Sequence, residues 1–238
     1  NQVRLLKALK KTGKRVVVVL LSGRPLVLDE ILEDSDAILN AWFPGSEAGL
    51  ALADVLYGDV NPSGKLTMTY PQNVGQIPIY YSHKNTGRPL KGEWFQKFRT
   101  SYLDVTNEPE FPFGYGLSYT SFSYDNLKLS SDTINKNEKL SISVEVSNTG
   151  GMTGKEVVQL YIRDMVGSIT RPVKELKGFK KIELKAGETK TVEFTLSEQD
   201  LGFYHYNMDF YAESGLFKVF VGSSSEEVLE NKFQFKAE

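Results

Sequence analysis

Leu140-Ser141-Ile142-Ser143-Val144-Glu145-Val146 alternates apolar and polar residues along its whole length. A period of two puts one face of a strand in a core and the other in water. Residues 157–162, 191–196, 216–221 and 233–235 are further short strand-forming runs. Turn signals separate them: Asn148-Thr149-Gly150-Gly151, Lys185-Ala186-Gly187-Glu188 and Gly222-Ser223-Ser224. About seven short strands over roughly 120 residues, without cysteine, predict a β-sandwich of fibronectin III or immunoglobulin-like kind.

Upstream the period changes. Val3, Leu5, Leu6 and Leu9 fit one helical face, and Gly13 follows where a helix-ending glycine sits. Arg15-Val16-Val17-Val18-Val19-Leu20-Leu21 is a β-branched run that suits a parallel strand covered on both faces. Pro25 marks a possible helix start, and Ala37-Ile38-Leu39-Asn40-Ala41-Trp42 reads as a second buried strand. Ser46 is placed to cap the next helix, with Glu47 in its first turn and Gly58 at its end. Lys65-Leu66-Thr67-Met68-Thr69-Tyr70 alternates and predicts an edge strand. This half reads as a partial α/β sandwich with an open, mostly parallel sheet, short of strands for a complete domain. The expected division is residues 1–71 for the α/β part, 72–120 for a Pro/Gly/aromatic connector, and 121–238 for the all-β sandwich.

Composition narrows the function. The net charge of -2 gives no electrostatic case for nucleic acid or an anionic membrane surface. The absence of cysteine removes disulfides, thiolate-bound zinc and thiol catalysis. The longest apolar run, residues 16–21, is too short to span a bilayer. The chain opens inside a helical pattern, as a piece of something larger would. His83 and His205 are far apart in sequence, and Asp164 and Asp209 form no tight acidic cluster, so no metal site and no cofactor are expected. Gly114-x-Gly116 lacks the strand-to-helix setting of a phosphate loop.

Several segments carry a resemblance. They are Leu21-Ser22-Gly23-Arg24-Pro25-Leu26, Ala41-Trp42-Phe43-Pro44-Gly45, Ala53-Asp54-Val55-Leu56-Tyr57-Gly58-Asp59, Asn61-Pro62-Ser63-Gly64-Lys65-Leu66, Gly75-Gln76-Ile77-Pro78-Ile79-Tyr80-Tyr81-Ser82-His83, Asn85-Thr86-Gly87-Arg88-Pro89, and Phe111-Pro112-Phe113-Gly114-Tyr115-Gly116-Leu117-Ser118-Tyr119-Thr120. In order and spacing they resemble the end of the α/β sandwich domain of family 3 glycoside hydrolases, and among these the bacterial periplasmic β-glucosidases. Arg171-Pro172-Val173-Lys174-Glu175-Leu176-Lys177-Gly178-Phe179 and Leu184-Lys185-Ala186-Gly187-Glu188-Thr189 resemble the fibronectin III-like domain that closes those enzymes. The resemblance covers essentially the whole chain.

It implies hydrolysis of terminal, non-reducing β-D-glucosyl residues with retention, and a periplasmic or secreted location. It also implies a nucleophilic aspartate on an N-terminal barrel and an acid/base glutamate in a segment upstream of Asn1. Neither catalytic residue is carried onto this chain. Glu47 is assigned to a helix N-terminus, and Asp54 and Asp59 to solvated or capping roles. The chain is expected to be inactive alone, to need the barrel as partner, to meet a β-glucoside or oligosaccharide only within the full-length enzyme, and to be capable of forming a homodimer.

Two segments are candidates for indirect roles. The polar loop Ser82-His83-Lys84-Asn85-Thr86-Gly87-Arg88-Pro89 either borders a substrate cleft or subunit contact, with Asn85 and Arg88 as the sugar-binding candidates, or packs on a partner domain. The aromatic connector from Trp94-Phe95 to Tyr119 reads mainly as interdomain packing. The competing class is a non-catalytic carbohydrate-binding or structural, dimerising module. Phe203, Tyr204 and Tyr206 cluster, but in a strand connection, and exposed aromatic triplets at strand spacing are not evident.

Overall fold

A computed structural model describes residues 1–89 and 97–237; Trp94 and Phe95 of the connector lie outside the described residues. The chain forms two compact units. The first is Asn1–Val60, Thr69–Ile79 and Tyr102–Phe111, and the second is Asn61–Met68, Tyr80–Ser101 and Pro112–Glu238.

The first unit alternates helix and strand as its periodicity predicts: α1 (Gln2–Lys10), β1 (Val17–Leu20), α2 (Asp29–Asp34), β2 (Ala37–Asn40) and α3 (Ala48–Tyr57). β1 and β2 pair in parallel, Val17 opposite Ala37 and Leu20 opposite Asn40. Parallel strands need a crossover, and α2 lies on it. The Asp36 carboxylate accepts the Val16 N–H at 2.8 Å and faces Lys10 Nζ at 3.5 Å. The backbone donor above all holds this carboxyl below the usual carboxylate range. α3 ends at Gly58, whose φ of 87° is the left-handed stop expected of it.

In the second part of this unit one buried side chain makes several of the ties. Gln76, 1% exposed, donates to the carbonyls of Thr106 (2.9 Å) and Glu108 (3.1 Å) and accepts the Gln72 N–H at 2.7 Å. The Tyr70 N–H donates to the Phe111 carbonyl at 2.9 Å, and the Tyr70 ring packs on Phe111 and Trp42.

Several local expectations are corrected. The helix does not begin at Pro25: the Ser22 hydroxyl closes a turn with Arg24, and α2 starts at Asp29, where Asp29 and Glu30 complement the helix dipole. Ser46 is not the cap of α3; Glu47 occupies that position without a side-chain capping bond, and no acidic residue lies in the first turn. Residues 65–70 form no strand. Their backbone groups pair singly with a distant segment, Leu66 N–H to Tyr115 O and Gly114 N–H to Leu66 O, both at 2.7 Å. The β1 run is not covered on both faces: Val17 is 50% exposed and Val18 to Leu20 are half-buried, because the sheet has two strands. Leu5 and Leu9 of α1 also stay exposed, and only Leu6 is buried there.

The second unit is the predicted sandwich. Its elements are β3 (Phe122–Leu129), β4 (Thr133–Asn135), β5 (Leu140–Asn148), β6 (Gly154–Asp164), β7 (Glu175–Leu184), β8 (Thr189–Leu196), α4 (Glu198–Leu201), β9 (Phe203–Tyr204), β10 (Phe210–Tyr211), β11 (Gly215–Gly222) and β12 (Val228–Lys236). One sheet runs β4-β12-β11-β6-β7, the other β3-β5-β8, and β9 and β10 form a separate hairpin. Leu140, Ile142, Val144 and Val146 are wholly buried, as the alternation of β5 requires. They pack with Val158, Leu160, Phe217, Val219, Phe233 and others into one core. The side chain of Asn148 closes the turn after β5 by donating to Met152 O and Leu184 O and accepting from Thr120 Oγ1 and the Gly150 N–H.

One inward position of β6 carries a charge. Glu156 is 3% exposed and shares the inward parity of Val158 and Leu160. Its Oε1 accepts the Tyr124 hydroxyl of β3 and lies 2.9 Å from Lys65 Nζ. Lys65 also donates to Gly116 O at 3.3 Å. A Cβ on Gly116 would lie 2.4 Å from the Gly64 carbonyl oxygen, so a glycine is needed where these segments cross. Burial, helped by the Glu156 carboxylate, pushes the Tyr124 phenol far up, so the hydroxyl stays a donor.

Two predictions follow from this packing. Gly114 has a φ of 81°, and a Cβ there would sit 2.0 Å from Gln159 Oε1. Gly114→Ala is expected to cost about 2 kcal/mol or more in urea unfolding. Lys65→Met leaves the buried Glu156 carboxylate without its cation and is expected to cost about 3 kcal/mol. Adding Glu156→Gln to Lys65→Met recovers part of that loss, since the amide still accepts the Tyr124 hydroxyl; additive losses would contradict the pairing.

Candidate substrate-bordering loop

The loop predicted to carry Asn85 and Arg88 is fixed at both ends within the second unit. At its start the Tyr81 ring stacks on Phe113 at 4.4 Å and meets Tyr161 edge-on at 5.6 Å. The Tyr81 hydroxyl accepts the Leu176 N–H at 3.4 Å. Two residues on, the Val173 N–H donates to the His83 carbonyl at 2.9 Å, and Lys84 bridges Pro172. The Arg-Pro-Val stretch singled out in the sequence therefore holds this loop. At its far end Pro89 bridges Thr100, whose N–H donates to Arg88 O (3.1 Å) and whose hydroxyl donates to Gly87 O (2.8 Å).

Between these anchors residues 83–88 are exposed. Gly87 and Arg88 are consecutive left-handed residues, with φ of 72° and 48°. Glycine accepts that conformation freely, whereas arginine pays about 1–2 kcal/mol for it. A strained, doubly anchored turn is a stiff mount. The same exposed turn carries the Arg88 guanidinium, with five N–H donors, and the Asn85 amide, which both donates and accepts. Such groups match the hydroxyls of a neutral sugar, and the strain at Arg88 is a signal that residue types alone did not carry.

The other residues weighed in the sequence have settings of their own. Glu47 and Asp59 are exposed and Asp54 is half-buried on α3. Asp164 ends β6; burial foremost pushes its carboxyl up, against the Val166 N–H and Arg171. Asp209 accepts the Asn207 amide at 2.6 Å in the turn of the β9–β10 hairpin. His205 is stacked between Phe203 (4.2 Å) and Tyr211 (3.6 Å), with Nδ1 facing Ser168 Oγ and Glu213 and Nε2 facing Tyr211 O. The β9–β10 hairpin turns Phe203 inward and leaves Tyr204 and Tyr206 exposed. Among the described residues no group of three or more His, Cys, Asp or Glu is placed to hold a metal ion, and no helix is long and apolar enough to cross a membrane.

Comparison with known proteins places this architecture. Residues 1–119 match the glycosyl hydrolase family 3 C-terminal domain, and residues 156–225 match a fibronectin type III-like domain. A periplasmic β-glucosidase of Salmonella typhimurium is 50% identical over 234 residues, covering 98% of this chain and 31% of that protein. A β-xylosidase of Formosa agariphila is 46% identical over 225 residues, covering 94% of this chain and 30% of its own length. The crystal structure of a β-glucosidase from Listeria innocua in complex with isofagomine superposes with a TM-score of 0.94 at 46% identity, over 99% of this chain and 33% of that one. The chain thus spans about a third of the length of the relatives it matches. With a family model over half its residues and these likenesses along nearly all of them, the chain belongs to glycosyl hydrolase family 3.

Proposed function

We propose that this chain is the C-terminal portion of a retaining β-glucosidase that releases terminal non-reducing β-D-glucosyl residues, and that it is inactive alone. One observation carries the reading: 98% of the chain aligns at 50% identity with a protein named periplasmic β-glucosidase, yet covers 31% of it. Retention needs two carboxyl groups roughly 5 Å apart across the anomeric centre, one attacking and one protonating the leaving oxygen. None of this chain's carboxylates is assigned to either role; the pair belongs to the rest of a family 3 protein. In this reading residues 1–71 contribute to the α/β domain, 72–120 connect, and 121–238 form the closing sandwich. Asn85 and Arg88 border the cleft and hydrogen-bond sugar hydroxyls. The periplasm or the exterior is the place of action, in keeping with the Salmonella relative's name. The β-xylosidase at 46% identity supports a second reading of the glycone, a xyloside.

Purified chain is expected to leave aryl β-D-glucoside and aryl β-D-xyloside intact, and to support turnover when combined with the preceding part of a family 3 β-glucosidase. Turnover by the chain alone, with contaminants removed, would place a carboxylate pair within these residues. Whichever glycoside is cut faster on mixing names the glycone. In the complete enzyme Arg88→Ala is expected to lower kcat/KM by about ten- to a hundred-fold, the loss of a charge-assisted hydrogen bond, with an unchanged melting temperature. An unchanged kcat/KM would remove Arg88 from the cleft. Self-association, the homodimer, is read by light scattering of the same samples.

A further inference from the structure

The second unit contains a cavity of about 450 Å³ that none of the above uses. It lies where β3, from one sheet, meets the ends of β11 and β12, from the other, and is bordered by parts of segments 116–121 and 222–229 with one side open to solvent. Its volume is in the range of small-molecule sites. The buried group in it is Glu156, with Lys65 and Tyr124 on the same carboxylate oxygen. Lys65 has three N–H donors, two of which are directed to Glu156 and Gly116. Across the cavity stand Ser121, Ser223 and Glu227, with the Ser223 hydroxyl donating to Glu227 Oε2 at 2.7 Å. The half-buried rings of Phe122 and Tyr124 supply an apolar wall.

This lining is selective by charge. Two carboxylates against one ammonium disfavour a phosphate, a sulfate or a carboxylate ligand. Two acidic side chains without a third fall short of a cation cage. The Lys65 ammonium already faces the cavity, and the mixed donors and acceptors opposite the two rings suit a neutral molecule with hydroxyls on one side and C–H groups on the other. The cavity is also stiff. A Cβ on Gly222 would lie 1.9 Å from the Glu227 carbonyl oxygen, the Ser223 N–H donates to that oxygen at 3.1 Å, and Ser224 Oγ accepts the N–H groups of Glu226 and Glu227. The buried Gln159 amide donates to Gly114 O and Ser223 O, fixing the wall from behind. Such a site loses little entropy on binding.

We propose that this cavity is a binding site for a neutral pyranose, held by Glu156, Lys65 and Glu227 through its hydroxyls and by Phe122 and Tyr124 through its C–H face. The glycosidase reading enters only in the choice of D-glucose as probe. The test is a titration of the 238-residue chain with D-glucose, followed by backbone amide NMR shifts. Saturable shifts with a dissociation constant near or below about 10 mM, confined to residues 116–124, 156 and 222–229, are expected. Glu227→Gln, at an exposed position, is expected to weaken binding about ten-fold at an unchanged melting temperature. Inorganic phosphate is expected to leave the same amides unmoved. No saturable shift up to 200 mM glucose, shifts elsewhere, equal affinity in Glu227→Gln, or binding of phosphate in the cavity each overturn the proposal. Because hydrolysis is not measured, failure here is distinct from failure of the β-glucosidase reading.

Discussion

A carboxylate buried in a sandwich has to be neutralised, and Glu156 imposes that demand on the structure around it. An unpaired charge there would cost several kcal/mol. The demand is met from two sides: β3 of the three-stranded sheet sends Tyr124, and residues 61–68 send Lys65. The first contact ties the two sheets polar group to polar group across a largely hydrocarbon core, as the bond from Asn148 to the Leu184 carbonyl does at another point. The second forces the chain at Gly64 against Gly116 so closely that no side chain fits. A stretch that reads as a strand is thereby held as an irregular segment bonded at Leu66 to Gly114 and Tyr115.

That same stretch shows where sequence reasoning stops. Residues 140–146 were legible because burial of one face is a local property, fixed by parity along the strand. Residues 65–70 have parity too, but the partners of their backbone lie forty or more residues away, and no local rule names them. β1 was legible from its β-branched run and β2 from its apolar one, while their half-exposure was not, because burial depends on how many strands the sheet has. Glu156 leaves only a faint trace in the sequence, a lone acid at an inward position between Gly154 and Val158. The loop bearing Asn85 and Arg88 was legible as polar and glycine-containing. Its stiffness was not, since the left-handed turn at a non-glycine residue and the grip of Thr100 and Val173 exist only once the chain is folded.

The functional content of the chain is accordingly that of a scaffold with attachments. Three of its ionisable groups serve structure: Asp36 accepts a backbone N–H, Glu156 meets a cation and a phenol, and His205 lies in a stack of rings. What is left free to meet a ligand is carried on turns. Rigid turns on a packed sandwich suit recognition of hydroxyls, which rewards fixed donors and acceptors more than reactive ones.

The closure of the first unit has a further consequence, for divergence among relatives. Thr69–Ile79 and Tyr102–Phe111 are joined through Gln76 and through the Tyr70 to Phe111 backbone bond, so the chain between them is an excursion with its ends clamped. The entropy of closing such an excursion grows with the logarithm of its length, and doubling it costs only about 0.6 kcal/mol. A change of its length is therefore mild for the clamp itself, whereas Tyr81, His83 and Lys84 within it carry further bonds to residues 172–176 that such a change must keep. The exposed positions between those bonds, 85 to 88, are the ones where a change of side chain leaves both sets of ties in place.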